Sequence, residues 1–496
     1  MGDMILLAPT GVEANVMGAD VLVTGSDASS VAGAGAHLAA GQGQTVPVAL
    51  AGTAERLSAE LQPGQLVVAS ELWTLDEGGG VVVRRRLECA ELVASELRHE
   101  GHDVVVGPVL TAGVDDDRGP LVASGALVLD HDSAWAAALV DDDRPLAVVR
   151  AVEDRMGPGA MAAADTRYAA LALDRVRIPL ERWARACRAR RVLMAAPRSF
   201  CAGVERAIEI VERALARYGA PVYVRRQIVH NVHVVRRLAG MGAVFVEELD
   251  EVPDGATVVL AAHGVAPAVR DEAARRHGFT VIDATCPLVA KVHHEARRYA
   301  AKGYQLVLVG HGDHEEVVGT VGEAPERTSL VQSPADVQAL SLRDDARVAY
   351  LTQTTLATDE TAEVIDALRA RFPDIVGPSA DDICYATQNR QEAVREIAHD
   401  CDLLLVVGSQ NSSNTARLVE VARREGCKAE LVEDASQLRL AWLEGAGTIG
   451  LTAGASAPES LVTEVVQALS SLGPIEIDER RTTQETVRFS LPLQVR

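Results

Sequence analysis

Hydrophobic and polar positions alternate in two different ways along this chain, and the change falls near residue 190. Beyond Val192, uninterrupted apolar runs close on a glycine and a polar residue: TVVLAAHG from Thr257, QLVLVGHG from Gln305 and DLLLVVGS from Asp402. Runs of this kind predict strands buried on both faces, as in a parallel sheet, with polar ends at its carboxyl edge. Helical periodicity follows them. Val204, Ala207, Ile208, Val211, Ala214 and Leu215 predict a helix over Gly203 to Tyr218 that Gly219 would end. Pro287 suits the first position of another, ending near Gly303. Before residue 185 the apolar runs are shorter: Ile5 to Ala8, Val21 to Val23, Val46 to Leu50, Leu66 to Ala69, Val104 to Val106, Leu127 to Leu129 and Ala147 to Val149. Glycine, proline and aspartate bound them, which predicts buried strands of another α/β sheet. Between the two patterns lies ERWARACRARR, Glu181 to Arg191, expected to be a solvated linker or terminal helix. The predicted organisation is therefore α/β throughout, with domains at 1–188 and 189–496.

Composition narrows the function classes. A chain of 496 residues exceeds one ordinary domain, and 48% hydrophobic content supplies large cores. The formal charge of −22 argues against a nucleic-acid or anionic-membrane partner, each of which needs a basic face. No apolar run nears the roughly 20 residues that span a bilayer. The N-terminus MGDMILLAPT lacks the basic start of a secretory signal. Seven scattered cysteines suit a reducing compartment, so the expected location is the cytoplasm.

Three of those cysteines stand apart. Cys201, Cys286 and Cys384 each close a small or apolar stretch just before a predicted helix, at spacings of 85 and 98 residues. Such spacings are too wide for a zinc knuckle or a ferredoxin run. They suit three similar α/β units, each sending one thiolate to a shared centre with an open fourth position. Helix N-termini favour thiolate there. Cys89, Cys187, Cys401 and Cys427 read as buried small hydrophobes. His230, His263 and His314 occupy comparable loops, which points to a common cleft. GSQNSSN, Gly408 to Asn414, follows a strand and opens a helix, so its hydroxyls, amides and N–H groups can face one anion without a Walker lysine. Ser456 in SAPE fits either a helix cap or a ligand contact.

These motifs resemble one family, the 4-hydroxy-3-methylbut-2-enyl diphosphate reductases, over residues 192 to about 490. In chain order the resemblance runs through PRSFCAGV at Pro197, IVHN at Ile228, AHG at Ala262, DATCPLV at Asp283, HEEV at His314, TQTTL at Thr352, DDICYATQNRQ at Asp381, NSSN at Asn411 and TAGASAP at Thr452. It implies a trefoil of three α/β units around a 4Fe–4S cluster, held by Cys201, Cys286 and Cys384 with the fourth iron open. It also implies an allylic diphosphate substrate bound by His230, His263, His314, Ser412, Ser413, Asn414 and Ser456. Glu316 and Thr354 would be the catalytic pair, handling the substrate hydroxyl and its proton. Reduced ferredoxin or flavodoxin would supply electrons. Two departures stand out. Ser199 replaces a glycine beside the first cysteine, and Asp313 and Glu315 flank His314, with an expected effect on the pKa of Glu316. A zinc hydrolase is the rival catalytic reading, since three thiolates and a water also suit Zn²⁺.

The first half resembles nucleoside phosphorylases and nucleosidases through ILLAPTGVEA at Ile5, LAG at Leu50, LQPGQLVVASE at Leu61, LDHDSAW at Leu129 and RAVED at Arg150. His131 and Asp132 stand where that resemblance expects methionine and glutamate, while Asp154 remains. The shorter carboxylate implies a degenerate, inactive domain; the alternatives are a bifunctional enzyme or a nucleoside sensor.

Overall fold

The computed structural model describes residues 4–9, 21–23, 46–113, 118–142, 144–153, 166–342 and 347–496. Two compact units emerge: Met1–Val192 with Asp434–Ile449 and Thr463–Ile477, and Leu193–Glu433 with Gly450–Val462 and Asp478–Arg496.

In the first unit every predicted apolar run becomes a strand. These are β1 (Ile5–Ala8), β2 (Val21–Val23), β3 (Val48–Arg56), β4 (Leu66–Leu75), β6 (Val104–Thr111), β7 (Val128–Asp130) and β8 (Leu146–Glu153); β5 (Val81–Arg86) is added between β4 and β6. The order is β2-β1-β3-β7-β6-β4-β5, and β8 pairs with both β3 and β4, so five strands close a circuit. The periodicity missed β5 because it is an edge strand whose second half is three arginines and whose side chains are largely exposed. At the centre Arg150 is fully buried, pairing with Asp130 at 2.8 Å and with Asp132 at 2.7 Å. Asp154 and the segment from Thr10 lie outside the described residues. The arginine-rich stretch is only partly solvated. Arg177–Ala186 is a helix that buries Trp183, and Arg190 is a buried strand residue whose guanidinium donates to the carbonyls of Ala186 and Leu443. Charge runs lie on the surface by default; here the aliphatic stem and a set of carbonyl acceptors draw one arginine inside.

Three further sheets follow. One has the order β11 (Ala243–Val246), β10 (Val222–Arg225), β12 (Thr257–Leu260), β13 (Thr280–Asp283). Another has β15 (Thr328–Val331), β14 (Gln305–Val309), β16 (Val348–Thr352), and a third has β18 (Ala429–Val432), β17 (Leu403–Val407), β19 (Thr448–Ala453), β9 (Arg190–Ala196), β20 (Ile475–Arg481). The strands found at Thr257 and Gln305 run parallel to both neighbours, and the strand at Leu403 runs parallel to β18, in keeping with their continuous apolar character. Separate apolar cores surround each sheet. Helices return from the carboxyl edges, and those edges carry the predicted chemistry. Among the described residues no helix is long and apolar enough to cross a membrane.

Candidate active site

Each of the three cysteines is the N-cap of a helix: Cys201 before Ala202–Tyr218, Cys286 before Pro287–Ala301 and Cys384 before Tyr385–Ala398. One backbone bond holds each cap to a different loop. Cys201 N–H donates to Ala455 C=O at 3.2 Å, Cys286 N–H to Ala262 C=O at 2.9 Å, and Cys384 N–H to Thr354 C=O at 3.0 Å. The sequence prepares these turns locally. Asp283 Oδ1 accepts from Thr285 N–H at 2.9 Å, folding the approach to Cys286, and Pro287 takes the first helical position. Before Cys201 the chain passes through Ser199 at φ 60°, the left-handed conformation that glycine would adopt freely. Its hydroxyl donates to Glu459 at 2.5 Å and its carbonyl accepts from Arg390 at 2.7 Å.

All three thiols are free and line one cleft with an empty volume of about 680 Å³. Burial, then repulsion from Cys201, pushes the Cys286 thiol up to about 12 and the Cys384 thiol up to about 11. Thr387 meets the Cys384 sulfur through its hydroxyl at 3.1 Å and its N–H at 3.4 Å. Space between the sulfurs is kept by Gly203: a Cβ there would lie 2.7 Å from Cys286 Sγ and 3.8 Å from Cys201 Sγ. Three soft, unbridged sulfur donors around a space that a methyl group would invade fit an iron–sulfur group.

The imidazoles line the same cleft. His230 and His263 stack at 4.0 Å between centroids, and His314 meets them edge-on at 5.4 and 5.8 Å. Burial, then repulsion from the other rings, lowers His230 to about 2 and His314 to about 4. With no anion present the cleft thus avoids collecting positive charges, while an anionic ligand would favour protonation and receive imidazolium N–H donors. His314 also caps its helix, accepting from Glu316 N–H at 3.2 Å.

Glu316 is buried, and Thr354 grips both of its oxygens: the backbone N–H at 2.7 Å and the hydroxyl at 3.0 Å. Burial raises its pKa to about 7, although the two bonds from Thr354 pull the other way. Asp382 adds a smaller upward push, and His263 opposes it. Glu315 turns toward His263 at 3.6 Å and Arg226 at 3.7 Å, and although burial pushes its own pKa up, that pairing holds it below the usual range.

Ser412 caps the helix Ser413–Arg424, accepting from Thr415 N–H. Ser413 Oγ approaches Thr355 Oγ1 at 3.0 Å, and Asn414 donates to Thr387 Oγ1 at 3.2 Å while accepting from Ala455 N–H at 2.8 Å. Ser456 Oγ donates to His230 C=O at 3.0 Å and lies 3.3 Å from Ser412 Oγ, so its hydroxyl bridges two parts of the cleft. All the sequence-predicted site residues therefore line a single cleft. Sequence reasoning missed Thr355 and Thr387, which line it too. Both stand inside motifs already singled out, TQTTL and DDICYATQNRQ, beside residues that were named.

Comparison with known proteins gives a family model, LytB protein, matching residues 192–470. A 4-hydroxy-3-methylbut-2-enyl diphosphate reductase from Cutibacterium acnes is 56% identical over 312 residues, covering 63% of this chain and 96% of that protein. A solved structure of the E-1-hydroxy-2-methyl-but-2-enyl-4-diphosphate reductase from Plasmodium falciparum is similar at 36% identity and a TM-score of 0.60, covering 62% of this chain and 97% of that one. A 5'-methylthioadenosine/S-adenosylhomocysteine nucleosidase from Helicobacter pylori is similar to the N-terminal part at 13% identity and a TM-score of 0.32, covering 36% of this chain and 97% of that one.

Proposed function

Since this chain belongs to the LytB protein family, we propose that it reduces (E)-4-hydroxy-3-methylbut-2-enyl diphosphate to isopentenyl and dimethylallyl diphosphate. The observation that carries this reading is the cleft itself, with three sulfurs, three clustered imidazoles and a buried glutamate held near neutrality on one lining.

Cys201, Cys286 and Cys384 would hold a 4Fe–4S cluster, which would supply Lewis-acid activation of the allylic hydroxyl and the two electrons. The protein's own residues supply everything else. The diphosphate sits against His230, His263, His314, Ser412, Ser413, Asn414 and Ser456, so the far end of a five-carbon chain lies toward the sulfurs. Glu316 carries the acidic proton at its carboxyl oxygen, and Thr354 Oγ1, 3.0 Å away, relays it to the departing hydroxyl. One proton leaves with the hydroxyl as water. A second proton and the two electrons complete the C–H bond at either end of the allyl unit, which accounts for two products. A reduced ferredoxin or flavodoxin in the cytoplasm would donate the electrons.

The first unit would take no part in this chemistry. Its resemblance to nucleoside-cleaving enzymes rests on a carboxylate in the position of Asp132, and that carboxylate is buried in an ion pair with Arg150 at 2.7 Å. We assign it a structural role.

The test is anaerobic turnover. Reconstituted protein mixed with the allylic alcohol diphosphate and a reduced viologen dye should oxidise two equivalents of dye per substrate and release both five-carbon diphosphates. Dye oxidation without those products, or hydrolysis of the diphosphate instead, would refute the assignment.

A further inference from the structure

Three cations recur at matching positions behind the cysteines. Arg206 lies five residues past Cys201, Lys291 five past Cys286 and Arg390 six past Cys384, each on the helix its cysteine caps. Each reaches the backbone just ahead of the next cysteine. Arg206 Nη1 donates to Ala284 C=O at 3.2 Å and Thr285 C=O at 3.1 Å, ahead of Cys286. Lys291 Nζ donates to Ala380 C=O at 2.5 Å, Asp381 C=O at 2.9 Å and Asp382 Oδ1 at 3.1 Å, ahead of Cys384. Arg390 donates to Ser199 C=O at 2.7 Å and Phe200 C=O at 3.4 Å, ahead of Cys201. The three links close a circle.

We infer that Arg206, Lys291 and Arg390 are positioning residues, a cyclic set of clamps that fixes the three cysteine-bearing turns relative to one another and places positive charge behind their sulfurs. This rests on the reading that those cysteines hold an iron–sulfur cluster.

The physical case has three parts. Each cation offsets the partial negative charge of the carbonyls that lead into the next cysteine. Arg390 makes this clearest. Its side chain is fully buried, and its acceptors include the carbonyl of Ser199, whose left-handed backbone is unfavourable for a residue with a side chain. Lys291 is one of only three lysines in the chain, and its three N–H donors match three acceptors clustered at one turn.

The segment after the last sheet strand completes two of the clamps. Glu485 pairs with Arg390 at 2.9 Å, and Ser490 C=O accepts from Arg206 Nε at 2.8 Å. Both lie beyond residue 470, where the family model's match ends. Residues that orient ligand-bearing groups in this manner, without touching the metal, typically change metal retention by 10–100-fold when removed.

The test uses the full chain after anaerobic reconstitution, with Arg206→Gln, Lys291→Gln and Arg390→Met beside Arg206→Lys and Arg390→Lys. Circular dichroism checks the fold. Chelator-driven loss of visible absorbance and a redox titration followed by electron paramagnetic resonance report on the cluster. Each neutral variant should retain the parent's fold, lose the cluster about tenfold faster and show a more negative midpoint potential. The lysine variants should recover part of both effects, which a role in folding alone would not give. Arg206→Gln, at a half-buried site, decides the matter if Arg390→Met does not fold. Neutral variants with the parent's loss rate and potential would overturn the clamps. A parent chain that takes up no iron and sulfide would instead overturn the reading beneath them.

Discussion

At the scale of single residues, the reaction needs a group that can carry a proton at neutral pH and give it up, and Glu316 is the buried carboxyl so tuned. Its pKa stands at about 7 because burial disfavours the charged form more than the two bonds from Thr354 favour it. The sign of the pH effect follows. The acid is the active form, so kcat/KM should fall as pH rises through about 7. Glu316→Gln should bind the diphosphate normally and lower kcat by on the order of 10²–10⁴, with that pH limb gone. Normal turnover at saturation with a raised KM would make Glu316 a binding residue only. Burial of the neutral acid also links to stability: a raised folded-state pKa gives a contribution present at low pH and lost as pH rises through about 7. The identities of these residues were legible because each type sits in a polar turn after an apolar strand. Their tuning was not, because burial is a property of the assembled cleft, and the charged neighbour Glu315 proved to be engaged with His263 and Arg226.

The elements show why some features could be read and others not. Parallel strands announce themselves through unbroken apolar runs, and the helix ending at Gly219 was marked by its periodicity and by a glycine that adopts φ 79°. An edge strand with three arginines breaks those rules because its side chains are largely exposed, and Arg190 breaks them because it folds inward onto carbonyls that include one from Leu443, far along the sequence. The SAPE segment resembles a capping box, yet Ser456 spends its hydroxyl on His230 and Ser412. Gly203 gives the sharpest test at this scale. Gly203→Ala adds a methyl 2.7 Å from Cys286 Sγ, inside contact distance, while alanine itself suits a helix. The variant should fold and melt like the parent but bind substantially less iron and sulfide. Undiminished iron content would show that the sulfurs do not depend on that space.

For the whole molecule, the cleft residues all belong to the second unit, while Asp434–Ile449 and Thr463–Ile477 belong to the first. A fragment of residues 189–496 would therefore keep the site but lose the rest of the first unit. The helix Arg177–Ala186, whose Arg185 pairs with Glu444 at 3.2 Å, would be gone, and the buried Leu440 and Leu443 would lose cover. It should retain reductase activity and melt at a lower temperature than the full chain; loss of activity in a folded fragment would show that the first unit contributes to catalysis. The full chain should release no base from purine nucleosides, because Asp132 is committed to Arg150. Steady release of a base from a purine nucleoside would make the protein bifunctional. As proposed above, Cys201, Cys286 and Cys384 bind an iron–sulfur cluster. Anaerobic purification followed by iron, sulfide and zinc analysis tests it most directly, with Cys384→Ser and Cys427→Ser as companions. The account predicts a brown protein holding iron and sulfide in equal amounts that bleaches on reduction, an unchanged Cys427→Ser protein and a Cys384→Ser protein that has lost the cluster. A colourless parent that holds zinc, or a Cys384→Ser protein with full iron and turnover, would contradict it.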